Sequence, residues 1–103
     1  TSGQAAEFAK AHGPSACGMA FRVADAAAAH AEAVVRGAKA ADAAAGALGS
    51  SSHVLEGIGG SNLYLVDAED PWADWTPVPG AAEAEAANGV GLDVLDHLTH
   101  NVR

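Results

Sequence analysis

The chain has 103 residues, 5 Lys+Arg against 13 Asp+Glu and a formal net charge of -8, which excludes a basic nucleic-acid clamp, since neutralising phosphates takes a cluster of cations. The length suits one small domain, but only 5% of residues are aromatic and much of the 50% apolar content is Ala, so a thin core is expected. No apolar run approaches the about 18 residues of a membrane span, and the opening TSGQAAEFAK has neither the basic nor the apolar region of a signal peptide, so a soluble protein with no visible export signal is expected.

Ala5, Phe8, Ala9 and His12 fall at helical spacing between Gln4 and His12, and Gly13-Pro14 forbids continuation, which predicts a short helix ending near His12. The run Ala16 to Val23 alternates loosely, with Cys17, Met19, Phe21 and Val23 on one side, and predicts a first strand. Asp25 then caps an Ala-rich helix that runs to Arg36, supported by the i,i+4 pair Glu32 and Arg36 and stopped by Gly37. Between Lys39 and Ser52 the signals conflict, because Ala favours helix while Gly46, Gly49 and Ser50-Ser51-Ser52 favour breaks. Val54 to Ile58 and Asn62 to Val66 predict a hairpin around Gly59-Gly60, with Asn62, Tyr64 and Val66 opposite in phase to Leu63 and Leu65. From Asp67 to Gly91 the composition turns acidic, Pro-bearing and Ala/Glu-rich, which reads as a linker pinned by Trp72 and Trp75. A last strand is expected over Leu92 to Val102, so that the chain stops inside a second unit.

The fold class is therefore α+β. The order is that of a βαβββ half-barrel module, preceded by a short helix and followed by a linker and one strand of a second domain. Such a module cannot hide both faces of a curved sheet, so it is expected to pair with missing sequence or with another chain.

Few residues suggest chemistry on their own. Gly57-Ile58-Gly59-Gly60 enters a strand rather than a helix, so it reads as a turn and not a phosphate loop. Cys17 cannot form an internal disulfide or complete a zinc motif, which is compatible with a reducing cytoplasm, and its place on the apolar phase of a strand predicts a buried, inert thiol. His12, His30 and His53 read as a helix end, a helix face and a loop. Glu69, Asp70 and Asp74 read as solvated surface, lacking the spacing of a calcium loop. The densest polar cluster is Asp96-His97-Leu98-Thr99-His100-Asn101. On a helix His97 and His100 would share a face and suggest a metal pair, whereas on a strand, which the neighbouring residues favour, His97, Thr99 and Asn101 face one way and Leu98, His100 and Val102 the other. On composition alone, solvated or hydrogen-bonded imidazoles are expected there.

The blocks His12 to Val23 (HGPSACGMAFRV) and Gly57 to Asp67 (GIGGSNLYLVD) resemble the first domain of the bacterial 4-hydroxyphenylpyruvate dioxygenases, and Asp96 to Val102 (DHLTHNV) resembles the start of their second domain. The resemblance implies a vicinal-oxygen-chelate fold of paired βαβββ modules. It divides the chain into residues 1–67, the C-terminal part of the N-terminal domain; 68–91, the interdomain linker; and 92–103, the first strand of the C-terminal catalytic domain. It also implies non-haem Fe(II), held by two His and one Glu of the second domain, the first His being His97; His100 is left as structural and Asp96 as an orienting neighbour. The implied reaction joins a small 2-keto acid, 4-hydroxyphenylpyruvate, with O2 to give homogentisate and CO2 in tyrosine breakdown, in the cytoplasm and without nucleic acid or membrane. The other two ligands and the substrate pocket fall outside these residues, so the piece by itself is expected to be inactive and not to retain the iron. Other readings are a non-enzymatic module that self-associates as a homo-oligomer to complete the barrel, and a related enzyme such as hydroxymandelate synthase or the dioxygenase-like part of a dehydroshikimate dehydratase.

Overall fold

Local signals place the first two helices where sequence spacing predicts them. The computed structural model describes residues 3–42, 53–69, 73 and 75–101. Helix α1 spans Gln4–His12 and stops at Gly13, whose φ of 79° is open to glycine and whose N–H donates to Ala9 O. Helix α2 spans Ala26–Val35. The Asp25 carboxylate accepts from Ala28 N at 2.8 Å and Arg36 meets Glu32 at 2.7 Å.

Strand β1 (Gly18–Arg22), β2 (Val54–Glu56) and β3 (Asn62–Val66) form one sheet in the order β1-β3-β2, with β1 parallel and β2 antiparallel to β3. Ala40 bridges to Leu55 on the outer side of β2, where Ala41 N donates to Val54 O and Glu56 N to Lys39 O. The connectivity is thus βαβββ, with the strand after the helix reduced to one bridge. The rest of the Lys39–Ser52 stretch, residues 43–52, lies outside the described residues. The hairpin connection is longer than predicted: β2 ends at Glu56 because Ile58–Gly60 wind into a 3-10 turn, with Gly59 and Gly60 at φ 64° and 86°.

Two side chains of α1 hold that turn. Gln4 Nε2 donates to Cys17 O and to Gly60 O, both at 2.9 Å, and His12 Nε2 bonds Gly59 O at 2.8 Å with its ring against Phe8.

The core is small, as the Ala-rich composition implies. Val54, Tyr64 and Val66 are buried together with Ala20 and Ala41 packed on them. This reverses the expected phase of β1. Ala20, in register with Tyr64, faces the core, so Met19 and Phe21 lie on the other face and Phe21 is 48% exposed. The cause is the Tyr64 ring, which lies across Gly18: a Cβ there would sit 2.8 Å from Tyr64 Cε2. Only small residues fit under the ring, and apolarity misreads the phase. Cys17, expected to be buried, is half-buried just before the strand.

The last third of the chain also departs from expectation. Within the stretch read as linker, residues Ala81–Asn88 form helix α3 after Gly80, with every side chain exposed. Ala and Glu carry high helix propensity, and Glu83 lies in the first turn where the helix dipole favours an anion. Trp75 is 53% exposed, and Trp72 lies outside the described residues. No strand forms over residues 92–101, which are exposed and carry neither helix nor strand. A strand is stable only when a neighbour takes up its N–H and C=O groups, and no described residue does so here. Among the described residues no helix is long and apolar enough to cross a membrane.

Candidate functional site

The Asp96-His97 pair is the best-defined polar constellation on the last segment. His97 Nδ1 lies 2.6 Å from Asp96 Oδ2, with the side chains 77% and 88% exposed respectively. When neutral imidazole donates Nδ1–H to the carboxylate, its Nε2 lone pair is left facing water, the arrangement in which a carboxylate orients a metal-binding histidine. His100 is exposed three residues on, and without a strand the two imidazoles have no assigned faces. Among the described residues no group of three His, Cys, Asp or Glu is close enough to hold a metal ion. The donor chemistry of His97 fits one ligand of a divalent metal. The described residues do not supply the remaining donors of such a site.

The other histidines have structural partners. His12 holds the turn as described, and His30 Nε2 on α2 bonds Val54 O at 3.2 Å while its ring meets His53 edge-on at 5.8 Å. The Gly57–Gly60 turn leads into β3, so no helix N-terminus stands behind it to receive an anion.

One feature escaped sequence reading. An open groove of about 430 Å³ lies where α1, the Ala40 bridge and the glycine turn meet, with Gln4, Asp42, Glu56, Ser61 and Asn62 among its lining. Its walls come from three separate stretches of chain, so no local pattern announces it. His97 is not part of it.

The three-stranded mixed sheet and its connectivity agree with the glyoxalase-like, vicinal-oxygen-chelate class, which the family match shows. The family model for the N-terminal domain of hydroxyphenylpyruvate dioxygenase matches residues 1–74, and the chain belongs to that family. It is 47% identical to the hemolysin VllY of Vibrio vulnificus over 97% of the chain and 29% of that protein. It is also 47% identical to the 4-hydroxyphenylpyruvate dioxygenase of Pseudomonas aeruginosa, over 98% of the chain and 29% of that protein. With the enzyme of the same name from Pseudomonas sp. strain P.J. 874 the identity is 39%, over 95% and 28%. The chain thus spans less than a third of the length of the curated relatives it matches. No solved structure matches it.

Proposed function

We propose that the chain is part of a non-haem Fe(II) dioxygenase that converts 4-hydroxyphenylpyruvate and O2 to homogentisate and CO2, and that these 103 residues alone do not turn over. In this reading residues 1–67 close the N-terminal domain, 68–91 connect it, and 92–103 open the catalytic domain. The observation that carries it is the family match over residues 1–74. The Asp96-His97-Leu98-Thr99-His100 run that follows agrees with it, because the family resemblance implies that the first metal ligand of the catalytic domain lies in that motif. The family model and both Pseudomonas relatives carry the dioxygenase description, which supports this reading.

His97 would supply one ligand through Nε2 while Asp96 fixes the ring by its bond to Nδ1. Iron(II), if held by His97 and by donors outside these residues, would supply the Lewis-acid and redox chemistry that a 2-keto acid and dioxygen require. The chain's own contribution is to hold that imidazole in one tautomer and to present it at the end of the connection from the βαβββ module.

The test is product analysis on a longer protein that contains this chain, supplied with Fe(II), ascorbate and 4-hydroxyphenylpyruvate. Homogentisate is expected; His97→Ala is expected to abolish product, and Asp96→Ala, which removes the partner that orients the ring, to lower iron affinity or activity by about 10–100-fold. The 103-residue chain is expected to give none. Release of 4-hydroxymandelate, an isomer of homogentisate separable by chromatography, would move the assignment to hydroxymandelate synthase.

The half-exposed Phe21 beside Met19 on the open sheet face favours a second reading, in which the chain self-associates. Sedimentation of the 103-residue chain tests it, and a single monomeric species at high concentration removes it.

A further inference from the structure

Three consecutive residues past the end of β3 are tied back to one corner of the molecule. Asp67 Oδ2 accepts from Ala26 N at 2.9 Å, at the first turn of α2, where Ala26 is buried. Arg22, the last residue of β1, donates from Nη1 to Ala68 O at 2.8 Å and from Nη2 to Glu69 O at 3.1 Å. The ladder itself runs one residue beyond β1, with Val23 N donating to Val66 O at 2.8 Å. Arg36 and Lys39 pair with carboxylates, whereas the Arg22 guanidinium grips two successive main-chain carbonyls. A planar fork of fixed donors suits that task, and a lysine ammonium does not, since it offers a single point of charge.

We propose that Arg22 and Asp67 form a clasp that fixes the direction in which the chain leaves the sheet after β3. Without it, residues 68 onward would depart as an unanchored, polar connection. With it, the path is set by the β1–α2 corner through residue 69, and whatever follows begins from a defined position. The clasp does not depend on the dioxygenase reading, because every contact in it lies within the βαβββ module and the residues that leave it.

Backbone 15N relaxation on the 103-residue chain tests this directly. The order parameters of Ala68 and Glu69 are expected near about 0.85 in the unaltered chain and below about 0.6 in Arg22→Ala, with Asn62 to Val66 unchanged. Arg22→Lys is expected to fall between, because one ammonium reaches one carbonyl. The proposal is overturned if Ala68 and Glu69 are already mobile in the unaltered chain, or keep their order in Arg22→Ala. Equal loss of order along β3 also overturns it, since Arg22 would then support the strand and not the exit. Should Arg22→Ala fail to fold, Arg22→Lys decides: a fall confined to Ala68 and Glu69 supports the clasp, and no fall, or one shared with β3, overturns it.

Discussion

Gly18 shows how one atom decides the packing of this small sheet. A Cβ at that position would meet Tyr64 Cε2 at 2.8 Å and Asn62 O at 3.3 Å, and Tyr64 is 4% exposed with little room to move. Gly18→Ala is therefore expected to destabilise the fold by roughly 1–3 kcal/mol, read as a lower urea midpoint at unchanged slope. Nothing local to Gly18 announces this, because its neighbour sits on a strand far along the chain. Asp25 is the opposite case: its carboxylate bonds the N–H three residues on, so its role is legible in the sequence. Asp25→Ala is expected to cost about 1 kcal/mol, a fall of roughly 4–8 °C in the thermal midpoint for a domain of this size. His97 belongs to neither case. Its residue type and spacing mark only a solvated imidazole, a family resemblance singles it out, and the structure adds the Asp96 bond that orients it.

At the scale of elements, the alternation of β1 favours burying Cys17, Met19, Phe21 and Val23, its larger apolar side chains, and the folded sheet buries the other face. The choice fell to Tyr64, which needs Gly18 and Ala20 beneath it, and this turned Met19 and Phe21 outward. Helix α3 was hidden for a different reason: its acidic, Pro-flanked surroundings read as linker although Ala and Glu favour helix. Because none of its side chains is buried, α3 is held mainly by its own backbone, and eight residues are few for a stable isolated helix. Ala84→Pro is expected to abolish the α3 signal in NMR chemical shifts while leaving the urea midpoint of the sheet unchanged. A lowered midpoint would mean that α3 supports the core.

Across the whole molecule, the buried residues lie between Ala26 and Val66, and residues 75–101 contribute none among those described. Stability is thus concentrated in the βαβββ module, while the segment bearing His97 hangs beyond it. A sheet this thin, with an open apolar face, is the feature that self-association or a larger parent protein would complete. The residues alone were enough to place α1, α2, the glycine turn and the β2–β3 hairpin, because caps, turns and helical spacing are interactions among neighbours a few positions apart. Through a resemblance they also located the family. Only the folded arrangement settled the phase of β1, the groove between α1 and the turn, the grip of Arg22 on Ala68 and Glu69, and the unformed strand over 92–101. Each of these depends on a partner distant along the chain, and a strand without such a partner has nothing to take up its hydrogen bonds.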